Sequence, residues 1–280
     1  MNGTTRLIGL FGWPVGHSRS PQMQNAGFQK LGLNIAYVPL AVEPGRLRDA
    51  VNGLRAMNFL GANVTLPHKE RVMKHLDSVS TLSRRIGAVN TIVNRNGRLH
   101  GTTTDPEGFI KAVSGSIRLT PQTRIMVLGA GGTARTLLFA LLAHGCRDLA
   151  LACRAPRKAA RLLSDARKHF KARIPLLTLG APAFAARMSG TTLLINCTPV
   201  GMSPRPNALP LSPALLHNKL TVFDTVYNPL KTRLLAETEK RGGRAVPGMD
   251  MLVYQGMASF EVWTGKKPDY ATFRKGALNP

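Results

Sequence analysis

The chain reads as an α/β protein of two domains. Three features predict this. Short apolar strands alternate with helical stretches from residue 6 to residue 76, a second alternation begins at Arg124, and a glycine-rich turn joins strand to helix at the head of that second series. With 280 residues, 44% of them hydrophobic, the chain is long enough to bury two cores of ordinary size.

Taken in order, residues 6–12 (RLIGLFG) predict a buried strand ending in glycine, and helical spacing follows from Pro21 to Leu31. Ile35 to Leu40 alternates as a strand, Leu47 to Met57 has helical spacing, and Gly61 to Leu66 reads as a strand. Pro67, suited to a first helical position, predicts a helix continuing through Leu76. In the second series, the strand RIMVL enters the glycine turn. The helix Thr133 to His144, the strand Asp148 to Cys153 and the basic amphipathic helix Pro156 to Lys171 follow. Leu193 to Cys197 and Leu220 to Asp224 are short apolar strands, separated by a loop over Thr198 to Pro213. Residues 250–264 have helical spacing again.

Composition narrows the function classes. No apolar run approaches the roughly 18 residues of a membrane span, and the N-terminus MNGTTR lacks a signal-peptide pattern. Three cysteines, Cys146, Cys153 and Cys197, are odd in number and have no CxxC spacing. They predict neither a disulfide framework nor a zinc site, and the histidines show no metal-ligand spacing, so we expect a cytoplasmic protein without metal. The net charge of +24, from 38 basic and 14 acidic residues, raises a polyanion as partner. The charge is spread along the chain, with one dense cluster from Arg154 to Arg173 that reads mainly as a solvated helix face.

Gly129-Ala130-Gly131-Gly132-Thr133-Ala134 fits G-x-G-x-x-A and stands between a strand and a helix, the context a dinucleotide-binding turn requires. Gly129 permits the turn, Gly131 lets the backbone approach a pyrophosphate, and the helix N-terminus favours the anion. An NAD site usually has an acid about 20 residues further on. Here that stretch holds no acid and three cations, Arg154, Arg157 and Lys158, which suit a ribose 2′-phosphate and are unfavourable at a helix start without an anion. We therefore expect NADP as cofactor.

Further segments run the length of the chain: HSRS (17–20), GANVTLPHKE (61–70), GAVNT (87–91), TTTDPEGF (102–109), INCTPVGM (195–202), DTVYNPLKTRLL (224–235) and MLVYQGMASFEVWTG (251–265). In order and spacing they resemble the shikimate dehydrogenase family. The resemblance implies an N-terminal substrate domain over 1–106, a Rossmann-type NADP-binding domain over 107–247 and a C-terminal helical return over 248–280. It implies NADP-dependent reduction of 3-dehydroshikimate to shikimate, a small-molecule substrate, and a monomer or homodimer. Lys69 and Asp105 resemble the catalytic pair. Ser18 and Ser20, assisted by Tyr227, resemble the carboxylate site, and Asn63, Thr65, Asn90 and Gln255 the groups that hold ring hydroxyls. On the cofactor side, Gly129 to Thr133 resemble the pyrophosphate turn, Arg154 and Lys158 the phosphate clamp, and Met202, Thr225 and Gly248 the positions near the nicotinamide; Arg157 and Thr198 stand beside them as further cofactor-binding candidates. The chemistry is self-consistent: reduction of a ketone builds charge on oxygen, which a nearby ammonium stabilises and protonates.

Read singly, these residues have plainer roles. Ser18 and Ser20 would cap a helix, Asn63 and Asn90 would form turns, and Lys69 would be a surface cation. His17 and His68 adjoin the proposed site and are read as structural or tuning residues. Three positions depart from the family pattern: Thr103, Cys153 and Asp250, where Asn, Asn and a non-acidic residue are common. Two other readings remain at this point. One is a dual quinate/shikimate dehydrogenase; the other, from a different class, is a basic nucleic-acid-binding protein on a reductase fold, with nucleic acid expected not to be the partner because the site residues would then lack a purpose.

Overall fold

The computed structural model describes residues 1–154 and 156–279, apart from the Lys158 side chain. The chain divides into two compact units, Met1–Gly108 with Val253–Pro280, and Phe109–Leu252. It passes from one to the other twice, each time within a helix.

The first unit holds strands β1 (Arg6–Gly12), β2 (Ile35–Ala41), β3 (Gly61–Val64), β4 (Ser78–Val79), β5 (Thr91–Arg95) and β6 (Arg98–Thr102) in the order β2-β1-β3-β5-β6-β4. β1 pairs parallel with β2 and β3, β5 is antiparallel to β3 and β6, and β4 lies parallel to β6. Helices α1 (Ser20–Lys30), α2 (Leu47–Ala56), α3 (Thr81–Ile86) and the start of α4 (Asp105–Ser114) belong to the same stretch of chain. A core of Phe11, Val51, Leu54, Val64, Val89, Ile92 and Leu99 lies against the sheet. Gly61 cannot carry a side chain, because a Cβ would fall 2.1 Å from the Ile92 carbonyl oxygen and 2.7 Å from Trp263 Nε1.

The second unit is a single parallel sheet. Its strands are β7 (Ile125–Leu128), β8 (Leu149–Cys153), β9 (Leu176–Thr178), β10 (Leu193–Asn196), β11 (Thr221–Asp224) and β12 (Arg244–Pro247), in the order β12-β11-β10-β7-β8-β9. Helices α5 (Gly132–Ala143), α6 (Pro156–Phe170), α7 (Pro182–Met188) and α8 (Arg233–Lys240) make the crossovers. β7, β8, β10 and β11 are buried throughout, as strands of a parallel sheet covered on both faces must be. The chain winds outward from β7 on one side and from β10 on the other, so the two adjacent strands form a topological switch point, where open α/β sheets bind ligands beyond the strand C-termini.

Two further helices follow, α9 (Gly248–Thr264) and α10 (Tyr270–Leu278). From Val253 onward they return to the first unit. Phe260 of α9 stacks on Phe28 of α1 at 4.8 Å between ring centroids and meets Phe273 of α10 edge-on at 5.5 Å, contacts worth about 1 kcal/mol each beyond burial. Gly27 of α1 admits α10 closely, since a Cβ there would lie 2.4 Å from the Phe273 ring.

The helix expected from Pro67 to Leu76 does not form. His68 turns inward and its Nε2 pairs with the Val42 carbonyl oxygen at 2.7 Å, while its N–H is held by the Thr65 carbonyl at 2.9 Å. Burying that ring commits residues 65–70 to a turn, and only Arg71–His75 closes, as a 3₁₀ helix.

Candidate active site

The turn after β3 carries Lys69, and the first residue of α4 is Asp105. The Lys69 Nζ donates to Asp105 Oδ2 at 2.7 Å, with the lysine side chain 29% exposed and the carboxylate 11%. The turn is anchored, because the Lys69 carbonyl accepts the Val89 N–H at 2.9 Å. The other carboxylate oxygen accepts from Asn90 Nδ2 at 2.8 Å, and Asn90 Nδ2 also approaches Gln255 Oε1 at 3.4 Å. Asn63, from β3, donates to the Asn90 carbonyl at 2.9 Å and accepts from the Tyr37 hydroxyl at 2.8 Å. Four sequence-predicted residues, Lys69, Asn90, Asp105 and Gln255, thus converge directly, with Asn63 one bond away. Asn63, Asn90 and Asp105 are all buried.

Thr65 is half-buried at the head of the Lys69 turn, its N–H held by the Phe11 carbonyl at 2.8 Å. Ser20 opens α1 and is buried. Ser18 is half-buried and accepts the Ser20 N–H at 3.2 Å, while the cap position itself falls on Arg19, which makes no side-chain cap bond. His17 is exposed.

Four residues of this network were not singled out in the sequence: Tyr37, Thr91, Thr104 and Ser259. Burial pushes the Tyr37 hydroxyl far above its ordinary range, against a lowering by neighbouring Ser20, so it acts as a neutral donor to Asn63. Ser259 follows Gln255 by four residues and so shares its helix face, which was the available signal. Tyr37 offered none beyond strand alternation.

The cofactor candidates lie in the second unit. Gly129 adopts a left-handed φ of +100°, and a Cβ would come within 3.2 Å of the Cys197 carbonyl oxygen and of Thr198 Cγ2, so the β7 and β10 loops touch here. Ala130 is half-buried, whereas Gly131, Gly132 and Thr133 are exposed. Gly131 is the cap residue of α5, no side chain caps that helix, and a Cβ at Gly131 or Gly132 would meet nothing within 4 Å. No side chain takes up the first N–H groups of α5, and the space beside both glycines is open, as a pyrophosphate cradle needs. Ala134 is fully buried.

Arg154, exposed just past β8, lines a cavity of about 400 Å³ with Pro199, Val200, Met202 and Arg205 of the loop after β10. Arg157 is exposed in the first turn of α6, which contains no acid. The side chain of Lys158 lies outside the described residues. An NADP 2′-phosphate suits the exposed Arg154 and Arg157.

Beneath the loops, Asp224 at the end of β11 is fully buried and accepts from Asn196 Nδ2 at 2.9 Å, the Val226 N–H at 3.1 Å and Thr232 Oγ1 at 2.7 Å. Burial pushes its carboxyl above the ordinary range despite those three donors. Asn196 in turn accepts from the hydroxyl and N–H of Thr198, and its carbonyl accepts from Thr225 Oγ1. Tyr227 follows Thr225 in the same loop and is half-buried, and Met202 is exposed. Gly248 admits no side chain, since a Cβ would lie 2.6 Å from the Asp224 carbonyl oxygen.

Of the departures, Asp250 sits in the first turn of α9, where an acid complements the helix dipole. Cys153 is a packed strand-end residue, and Thr103 is buried beside Thr104. Among the described residues there is no group of three potential metal ligands, and no helix is long and apolar enough to cross a membrane.

Residues 10–92 match the family model described as the shikimate dehydrogenase substrate binding domain, and residues 248–276 match the shikimate 5′-dehydrogenase C-terminal domain. The NADP(+) shikimate dehydrogenase of Desulforamulus reducens is 42% identical over 267 residues, covering 95% of this chain and 92% of its own length. A crystal structure of a shikimate dehydrogenase in complex with NADP+ matches the fold with a TM-score of 0.93 at 35% identity, over 99% of this chain and 96% of the other. The Thermus thermophilus shikimate 5-dehydrogenase, solved in complex with NADP(H) and shikimate, matches with a TM-score of 0.86 at 35% identity, over 97% and 98% of the two chains.

Proposed function

The chain belongs to the shikimate dehydrogenase family, and from that premise we infer that it catalyses the NADP-dependent, reversible reduction of 3-dehydroshikimate to shikimate in the shikimate pathway. The observation that carries the reading is the Lys69–Asp105 pair at 2.7 Å, set among buried amides.

When bound, NADPH supplies the hydride for the keto carbon. Lys69 stabilises the negative charge that grows on the keto oxygen and gives it a proton; in the oxidative direction a neutral Lys69 takes that proton back. Asp105 orients the ammonium and accepts from the neighbouring substrate hydroxyl. Asn90 presents its N–H to Asp105, and Asn63, Thr65 and Gln255 hold the remaining ring hydroxyls. Ser18 and Ser20 take the carboxylate, with Tyr227 assisting. Supporting the cofactor assignment are the open cradle at Gly131 and Gly132 and the exposed Arg154 and Arg157. Thr198, Met202, Thr225 and Gly248 complete it. The three cysteines are free, which supports a cytoplasmic location.

The dual quinate/shikimate reading is not favoured. The test is a spectrophotometric assay at about 340 nm crossing shikimate and quinate with NADP and NAD. Shikimate with NADP is expected to be the fastest pair by a wide margin. Equal or faster turnover with quinate or with NAD overturns the assignment.

A further inference from the structure

Ser259 of α9 has a fully buried hydroxyl with four polar neighbours. Thr91 Oγ1 lies at 2.9 Å, Thr104 Oγ1 at 3.0 Å, Asn63 Nδ2 at 3.1 Å and the Gln255 carbonyl at 3.1 Å. A hydroxyl has one proton and two lone pairs, so the donors can be assigned by accounting. Asn90 Oδ1 already accepts the Thr104 N–H at 2.9 Å, which makes it the carbonyl end of the amide. The Thr91 proton goes to that same oxygen at 2.8 Å. Thr91 can then only accept from Ser259. The single Ser259 proton has two acceptors in reach, Thr91 Oγ1 at 2.9 Å and the Gln255 carbonyl at 3.1 Å, and it goes to the nearer one, since the Thr91 contact is a hydrogen bond only when Ser259 donates. Asn90 Nδ2 donates one proton to Thr104 Oγ1 at 3.0 Å, and Thr104 gives its own to Ser259 at 3.0 Å, the nearer acceptor, rather than to Asn90 Oδ1 at 3.3 Å, which already accepts two bonds.

The bonds close into a circuit, Ser259 to Thr91 to Asn90 to Thr104 and back to Ser259, with every donor running the same way round. Such rings strengthen cooperatively, because each donor polarises the next. The remaining Asn90 proton points outward, to Asp105 Oδ1 at 2.8 Å, with Gln255 Oε1 the more distant acceptor at 3.4 Å. Turning the amide over would break two ring bonds and set a carbonyl against a carboxylate.

We propose that Ser259 and Thr91 are positioning residues that lock the Asn90 amide so that its N–H faces Asp105, and through it set the grip on the substrate. The proposal rests on the functional reading above. Both residues are fully buried, so they act through Asn90 and not on the substrate.

The test compares Ser259→Ala, Thr91→Val and Thr91→Ser in steady-state kinetics with shikimate and NADP. Thr91→Val keeps the shape and removes the hydroxyl, whereas Thr91→Ser keeps the hydroxyl. Ser259→Ala and Thr91→Val are expected to raise the KM for shikimate about tenfold, the scale of one lost hydrogen bond. The KM for NADP should stay within about twofold in both, and Thr91→Ser should match the unmodified protein. A merely structural role would lower the amount of active enzyme and its Vmax without moving one KM selectively. Unchanged shikimate KM in both hydroxyl-deleted variants, or a Thr91→Ser variant as impaired as Thr91→Val, overturns the proposal. If Ser259→Ala does not fold, the Thr91 pair decides alone. Unmodified protein that is inert with shikimate and NADP overturns the functional reading instead, and that result precedes any comparison of variants.

Discussion

Replacing Lys69 by alanine separates chemistry from binding. The Nζ stands 2.7 Å from Asp105, on a turn tied through the Lys69 carbonyl to Val89 and through buried His68 to Val42. The ammonium is therefore held in place before substrate arrives, the condition under which a charged donor contributes most to a transition state. Proton transfer by a positioned side chain is worth about 10²–10⁴ in rate, and a preorganised oxyanion donor about 10²–10³. In the proposed mechanism one group supplies both, so the contributions overlap, and a loss of about 10³ in kcat follows, or roughly 4 kcal/mol. Ground-state binding loses a single charge-assisted bond, roughly 1.5 kcal/mol or about tenfold in affinity. Asn63, Asn90 and Gln255 are left in place. Initial rates followed by NADPH absorbance, with shikimate affinity from intrinsic fluorescence, would read the two quantities separately. A Lys69→Ala variant with kcat within about tenfold of the unmodified protein refutes the reasoning, as does one whose loss lies wholly in shikimate affinity.

Four other outcomes are expected. Arg154→Glu removes an exposed cation from the proposed phosphate clamp. It should raise the KM for NADP by about 10–100-fold and that for NAD much less, and equal effects on both would refute the assignment. Asp224→Ala strands three buried donors, a cost of about 3–5 kcal/mol, and should lower Tm in calorimetry by roughly 10 °C. Asp224 also gives a pH signature. Burial raises its carboxyl, so the folded state holds that proton more tightly than the unfolded chain; this stability is complete below the unfolded value near about 3.9 and is lost as pH climbs through the raised folded value. The neutral Asp224→Asn variant should accordingly gain in Tm relative to the unmodified protein as pH rises from about 4, and a constant difference would count against it. Gly129→Ala forces a side chain into a left-handed position against the β10 loop, and should weaken NADP binding at least about tenfold in titration calorimetry while leaving shikimate binding in place.

How much could be read beforehand follows from how local each signal was. Buried parallel strands such as Ile125–Leu128 and Leu193–Asn196 are continuous apolar runs, and the glycine turn advertises both a conformation and a ligand. The Lys69 segment misled because Pro67 is an acceptable helix start, whereas the decisive event, insertion of His68 toward Val42, is a contact across 26 residues. The β5–β6 hairpin had a local signal that went unused: Asn96-Gly97, with φ of 55° and 85°, is the pair a tight two-residue hairpin turn demands. The pairing of Lys69 with Asp105 was legible only through family pattern, since neither neighbourhood in isolation distinguishes these side chains from a surface cation and a helix-start acid. The hydroxyl ring was not legible, because its members come from β5, the approach to α4, and α9, and the direction of each bond depends on all the others.

The interrupted first unit bears on how the protein is made. Helix α1 is translated before the whole second unit, yet Phe28 and Gly27 await Phe260 and Phe273, which are translated after it. The parallel sheet is contiguous in sequence and has all its strands by Pro247. Synthesis therefore presents the middle of the molecule complete while the beginning still exposes an apolar flank. A chain truncated a few residues before α10 would show a protease-resistant centre and a sensitive N-terminus, an inversion of the usual vectorial order.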